Sequence, residues 1–183
     1  MKSRRTQTIS QRLLGGVVRT APGVLVLLLG LLSLHLPSLG HAAQLSDESL
    51  GRQWEEIALI RQEAAWGHES KAEDRESSQE GTFAEGQEGA GDEKALASGM
   101  YRLASQNWIK AAKAYDTFGG GDKVQIAQFN ADTNLEAARR TLIEAIEYHR
   151  RAAKHYGDSN RLDKKTITLE KLAVNLELLM KLE

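Results

Sequence analysis

The stretch WIKAAKAYDTFGGG, residues 108–121, decides how the rest of the chain is interpreted. Trp108, Ala111, Tyr115 and Phe118 recur every three to four residues, which is the spacing of one face of an α-helix. Three glycines follow at once, and glycine ends a helix readily because it adopts the left-handed conformation without a steric penalty. The stretch therefore predicts an amphipathic helix that ends at Phe118.

Similar periodic patterns run through most of the sequence after residue 42. They predict a first amphipathic helix over residues 43–67 and an all-helical domain over residues 94–183. Only two prolines interrupt the 183 residues, which also favours helix. We therefore expect an all-α fold, a helical hairpin or bundle of three to four helices. The sequence leaves open whether the first helix folds back onto the domain or docks elsewhere.

Residues 68–93 differ from the rest because they are acidic and rich in glycine, with Phe83 as the only bulky apolar side chain. A segment of that composition buries too little apolar surface to offset the entropy lost on folding. We expect a disordered acidic linker here. A calcium-binding loop is disfavoured because the alternating acidic pattern of such loops is missing.

Residues 1–42 have the organisation of a secretory signal peptide. A basic start precedes an apolar run of thirteen residues from Val24 to Leu36, and small residues follow at Gly40 and Ala42. The run is short for a membrane span, which needs about 20 residues. We expect cleavage, only transient contact with the membrane, and a periplasmic or secreted protein. An uncleaved anchor remains open, as does the choice between the general and twin-arginine export routes.

The charges of the chain are unevenly distributed. Residues 1–42 hold five basic and no acidic side chains, and the remainder holds 19 basic and 25 acidic ones, a net charge of −6. An acidic mature chain makes nucleic acid an unfavourable partner, because nucleic acids are polyanions. The chain has no cysteine, so disulfides, thiolate metal sites and cysteine nucleophiles are excluded.

A 34-residue offset relates two of the helical patterns, since Ala111 and Tyr115 align with Ala145 and His149. Together with Gly99, these residues resemble a degenerate tetratricopeptide repeat over about residues 95–155. The resemblance implies a helical scaffold that binds a peptide or partner protein on its concave face. A plain helical bundle whose periodicity matches by chance is the alternative.

Motifs for catalysis or cofactor binding are missing from the sequence. His149 and His155 are six residues apart, whereas a helical metal pair needs a spacing of three or four. The glycines at 119–121 follow a helix and lack the lysine of a phosphate-binding loop. We expect no enzyme activity, no cofactor and no metal.

The function we expect is the binding or scaffolding of another cell-envelope protein through an apolar helical groove. A small periplasmic bundle that binds a ligand or metal in its core, with His149 among the contacts, is the alternative. Homo-oligomerisation, including a coiled coil, stays open. Trp66 is a further candidate contact. The residues expected to line the groove are Tyr101, Trp108, Tyr115, Phe118 and His149.

Overall fold

The computed structural model describes residues 47–78 and 81–182. This part of the chain contains four α-helices and no strand: α1 is Asp47–Ser77, α2 is Phe83–Phe118, α3 is Gly121–Asp158 and α4 is Leu162–Met180. The expected all-α fold is confirmed. The expected signal peptide, residues 1–42, lies outside the described residues. None of the described helices is long and apolar enough to cross a membrane.

The helices form a bundle in which neighbours along the chain are antiparallel, because the connections between them are short. Helices α1 and α3 are consequently parallel. Contacts at both ends of the pair show this: Lys123 Nζ lies 2.7 Å from Glu48 Oε1, and Tyr148 Oη lies 2.5 Å from Glu76 Oε2. The shorter helix α4 packs against α3 and reaches α2 through side chains.

Local signals set the ends of α2. Thr82 and Glu85 form a capping box at its start, in which each side chain bonds the other residue's backbone N–H. At its end Gly119 has φ +82°, and the N–H of Gly120 donates to the carbonyl of Tyr115 at 2.9 Å. The helix end at Phe118 that residues 108–121 predict is therefore confirmed.

Rows of small residues at seven-residue spacing lie along the buried faces of the three long helices. Such rows let helix axes approach closely, and the seven-residue spacing keeps the same face buried along a pair of packed helices. The rows are Gly51, Ala58, Ala65 and Ala72 on α1; Ala90, Ala97, Ala104 and Ala111 on α2; and Ala131, Ala138, Ala145 and Ala152 on α3.

The segment expected to be a disordered linker is the main difference from the sequence interpretation. Residues 68–77 complete α1, and residues 83–93 form the first three turns of α2. The physical reason is that Ala72, Ala84 and Ala90 bury little surface each but allow close helix packing, and that the charged residues between them pair across helices. A count of bulky apolar side chains does not detect this kind of packing.

The buried face of α1 also differs from the face that its bulky residues indicate. Leu50 and Ile57 lie at the surface, while Gly51 and Ala58, one position further along, are buried. The ring of Tyr115 on α2 explains this shift, because a Cβ atom on Gly51 would lie only 2.4 Å from Tyr115 Cε1. Glycine at this position lets the aromatic ring lie against the helix backbone. The structure thus folds α1 back onto the other helices.

The all-helical arrangement is compatible with a helical repeat, but its helices are longer than those of a tetratricopeptide unit. That unit places two helices and a turn within 34 residues, whereas α2 alone has 36 residues and α3 has 38. A Cβ atom added to Gly99 would meet nothing within 4 Å, so no close packing requires glycine there. Helix packing therefore does not require a glycine at this position of the resemblance.

The close approach of α1 and α2 is tested by adding one methyl group. Gly51→Ala should lower the free energy of unfolding by about 1–3 kcal/mol, because the new methyl overlaps the buried ring of Tyr115. Gly67→Ala is the matched control on the same helix, where nothing lies within 4 Å. It should raise stability by up to about 1 kcal/mol through helix propensity. Urea unfolding measures both, and equal effects would contradict the packing.

Candidate functional site

The five residues expected to line a groove do not form one open surface. Tyr101, Trp108 and Tyr115 are buried within the bundle, and Trp108 and Tyr115 pack in one cluster with Ala58 of α1. His149 is buried further along, on α3, against Gly91. Phe118 is 53 % exposed at the end of α2. Helix α1 thus occupies the face of α2 that the sequence assigns to a partner.

All four tyrosines of the chain donate a hydrogen bond to a glutamate on a neighbouring helix. Each bond joins the end of a largely buried aromatic side chain to a carboxylate nearer the surface, so it fixes the relative position of two helices. The pairs are Tyr101 with Glu69 at 2.5 Å, Tyr115 with Glu55 at 2.6 Å, Tyr148 with Glu76 at 2.5 Å and Tyr156 with Glu88 at 2.9 Å.

These bonds and the burial of the rings change the acidity of the tyrosines. Burial, followed by the bond to Glu55, raises the pKa of Tyr115 to about 12. Burial and the bond to Glu76 likewise raise the pKa of Tyr148 to about 12. The pKa values of Tyr101 and Tyr156 are raised for the same reasons. Four phenols therefore stay neutral donors under ordinary conditions.

Three consecutive residues of α2, Asp92, Glu93 and Lys94, connect it to every other helix. We call them the polar layer. Asp92 accepts from Lys171 of α4 at 2.7 Å, and Glu93 accepts from His68 of α1 at 2.8 Å. Contacts from Arg75 to Glu93 and from Lys94 to Glu69 and Glu144 complete the arrangement. The charges of the polar layer are largely paired, and these pairs partly offset the free-energy cost of burying the charges.

The pairing within the polar layer keeps both of its carboxylates ionised. Burial opposes the charge of Asp92, but hydrogen bonds from His149 and Lys171 outweigh burial and lower its pKa. Burial likewise opposes the charge of Glu93, and bonds from His68 and Arg75 give a net lowering of its pKa. The polar layer is thus a network of charged groups.

His149 has a hydrogen-bond partner at each ring nitrogen. Asn175 Nδ2 lies 3.1 Å from Nδ1, and Asp92 Oδ1 lies 3.1 Å from Nε2. With Asn175 donating to Nδ1, the ring carries its proton on Nε2 and donates it to Asp92. Through these two hydrogen bonds the histidine joins α2, α3 and α4.

The sequence interpretation missed the polar layer because Asp92 and Glu93 fall at the end of the segment taken as a linker, while Lys94 is the first residue of the expected helical domain. A usable signal was present nevertheless. Glu93 and Lys94 are followed at seven-residue intervals by Met100 and Tyr101, and then by Asn107 and Trp108. A seven-residue register extended backwards from the confirmed helix would have placed both charges on its buried face.

Trp66, the further candidate contact, is 56 % exposed. It lies beside a groove of about 630 Å³ between α1 and α3, together with Gln62, Asn134 and Arg140. The side-chain amide of Asn134 donates a hydrogen bond to the carbonyl of Asn130 at 2.8 Å, so this donor in the groove is paired within α3. The position of Trp66 is consistent with contact to a partner.

Helix α4 presents most of its apolar side chains to solvent. Thr168 and Asn175 are buried, although they are polar, and Lys171 reaches inward to Glu88 and Asp92. We call the exposed side of α4 beside these buried positions the outer face. Its apolar residues are Leu162, Leu169, Ala173, Leu176 and Met180. From Leu169 onward they follow three-to-four spacing, as expected for one face of a helix.

Comparison of the chain with protein-family models, with curated proteins and with solved structures finds no match. Within residues 47–78 and 81–182, no group of three or more His, Asp or Glu side chains is arranged to hold a metal ion.

The tyrosine–glutamate pairs predict unusual alkaline behaviour. The folded-state pKa values of the tyrosines lie above the ordinary value of about 10. The tyrosine–glutamate bonds therefore stabilise the folded protein fully below about pH 10. This stabilisation is lost as the pH rises towards 12, the pKa of Tyr115 and Tyr148. Absorbance titration should show little tyrosinate at pH 10 in the folded protein and about half ionisation in a urea-denatured control. Coincident curves would contradict the pairing.

The polar layer predicts the acid dependence of stability. Because the pKa of Asp92 is lowered in the folded state, ionised Asp92 stabilises the protein at pH values above its unfolded pKa of about 3.9. This stabilisation is lost as the pH falls further. Asp92→Asn should therefore reduce stability at neutral pH and flatten its decline on acidification. Asp132→Asn, at an exposed position of α3, is the control and should leave both unchanged. Urea midpoints between neutral and acid pH decide the matter, and parallel curves for wild type and Asp92→Asn would rule out this role.

Proposed function

We propose that this chain is an exported, non-enzymatic helical protein that binds another protein of the cell envelope, and that the outer face of α4 is the binding surface. The observation that carries the proposal is the orientation of α4. Its polar Thr168 and Asn175 face the bundle while Leu162, Leu169 and Leu176 face solvent. Because α1 occupies the face of α2 around Tyr101, we propose a surface on a different helix.

The exposed leucines of α4 form a row, whereas isolated exposed leucines are common on any protein surface. Leu162 is 60 % exposed and Met180 is 67 % exposed, with Leu169 and Leu176 exposed between them. A contiguous apolar row is typical of an interaction site. Complete burial of one leucine contributes about 1.5–3 kcal/mol, so a helix packed on several of them can offset the entropy lost on association.

The acidic character of the chain after residue 42 supports a protein partner over nucleic acid or an anionic membrane surface, both of which repel negative charge. The amino-terminal pattern of a signal peptide supports the proposed envelope location. The engagement of both nitrogens of His149 supports a structural role for this histidine over a role in metal or ligand binding.

Site-specific photo-crosslinking tests the proposal. A photoreactive residue at Leu169 should give one dominant crosslinked protein when the full chain is produced in cells that export it. The same residue at Ile143 of α3, which is 55 % exposed against 45 % for Leu169, is the matched control and should not give that product. Identical products from both positions would contradict a binding surface on α4.

A substitution that places a charge on the outer face provides a complementary test. Leu169→Asp should weaken binding of the crosslinked partner by about tenfold or more, whereas Ile143→Asp should not change it. Circular dichroism establishes that both variants are folded. If the purified protein instead retains a metal or small molecule and no crosslink depends on Leu169, the alternative of a ligand-binding bundle is favoured.

A further inference from the structure

We infer that the partner presents an amphipathic α-helix with lysine or arginine along one edge, and that this helix lies lengthwise on the outer face of α4. The inference deepens the proposed function and rests on it. It follows from the spacing of the apolar residues on α4 and from the charges beside them.

The apolar residues of the outer face have the spacing of a two-helix seam. Leu162, Leu169 and Leu176 are seven residues apart, and Ala173 and Met180 follow the second and third of them by four. Alternating steps of four and three make a stripe into which the side chains of one facing helix fit. The helix has 19 residues, so the stripe is about 28 Å long at a rise of about 1.5 Å per residue.

An acidic side chain follows each leucine of the stripe. Asp163, Glu170 and Glu177 are all exposed and run along one edge of the outer face. Asp163 and Glu170 have no ion pair or hydrogen bond within the described part of the chain, and Glu177 pairs only with Lys181 of its own helix at 2.6 Å. Charges at such flanking positions select the partner helix, so three acids at seven-residue spacing favour a basic edge.

The other edge of the stripe carries no comparable row of exposed charges. Leu172 and Leu179 are half-buried, and Lys165 lies along the end of α3, where a Cβ atom on Gly157 would be 3.2 Å from its Nζ. The outer face is therefore asymmetric, with solvent-exposed acids on one side and the body of the bundle on the other. A docked helix would place its basic residues on the exposed side.

A second copy of the chain fits this surface poorly. Antiparallel pairing of two α4 helices would place Glu170 opposite Glu170 of the second copy, and like charges at flanking positions are destabilising. Parallel pairing would need Lys165 to reach Glu170 of the other copy, but Lys165 lies along Gly157 of its own bundle. A partner of different sequence with basic flanks meets neither obstacle.

Two designed helical peptides test the inference with the full chain. They share one leucine face and one length, and differ only in carrying lysine or glutamate at the edge positions. The lysine-edged peptide should bind at least about tenfold more tightly in a fluorescence-anisotropy titration. Added salt should reduce the difference, because exposed charge pairs are screened.

Two variants make the test specific to the edge. Glu170→Lys should reduce the preference for the lysine-edged peptide, while Glu63→Lys, at an exposed position of α1, is the matched charge control and should not change it. Leu169→Asp should weaken both peptides.

The outcomes separate the inference from the function on which it rests. Equal affinity for the two peptides would overturn the basic edge and leave the outer face as a binding surface. Binding of neither peptide, with crosslinking at Leu169 intact, would overturn the helical partner alone. Loss of both would overturn the proposed function as well. Self-association that Leu169→Asp abolishes, measured by sedimentation, would identify a second copy as the occupant and overturn the inference.

Discussion

The close approach of three long helices along rows of alanine is the constraint on which this bundle depends. An alanine at every seventh position keeps the same narrow face of each helix turned inward over its whole length. Larger side chains in those rows would separate the helices, and polar groups further out would lose their partners. Gly51 and Gly91 are the extreme cases, because Tyr115 and His149 lie directly against their backbones.

A core made of alanine contributes little hydrophobic free energy per residue, and it does not by itself specify which residues of two helices lie opposite each other. The polar contacts supply that specification here. The four tyrosine–glutamate bonds and the polar layer each join particular positions on particular helices, and a shift by one turn would leave several charges without partners. Buried polar groups have this registering role in other helical assemblies.

The sequence predicts helices well where bulky residues mark them and poorly where small residues do the packing. The end of α2 at Phe118 and the extent of α3 follow from visible signals, namely glycines 119–121 and a regular apolar stripe. Residues 68–93 do not, because alanine, glycine and paired charges have the composition of a disordered segment. The site residues divide in the same way: burial of Trp108 and Tyr115 follows from helical spacing, but their cover by α1 is a tertiary contact that no local pattern encodes.

Helix α4 shows why hydrophobic spacing alone cannot decide which side of a helix faces a core. Its exposed leucines form a regular stripe, yet its fully buried residues are the polar Thr168 and Asn175. The amide of Asn175 bonds His149 of α3, and the ammonium of Lys171 bonds Asp92 of α2. Polar contacts of this kind each contribute only about 0.5–3 kcal/mol. None of the fully buried residues of α4 is apolar, so this helix has few buried apolar contacts. Segments with few such contacts open locally at lower free energy than the core. A partner helix on the outer face would bury the leucines that the bundle leaves exposed, and by mass action it would also stabilise α4 in its place. Under the proposed function, binding would therefore be coupled to the local stability of α4, because the fully buried residues of this helix are polar while Leu162, Leu169 and Leu176 are exposed.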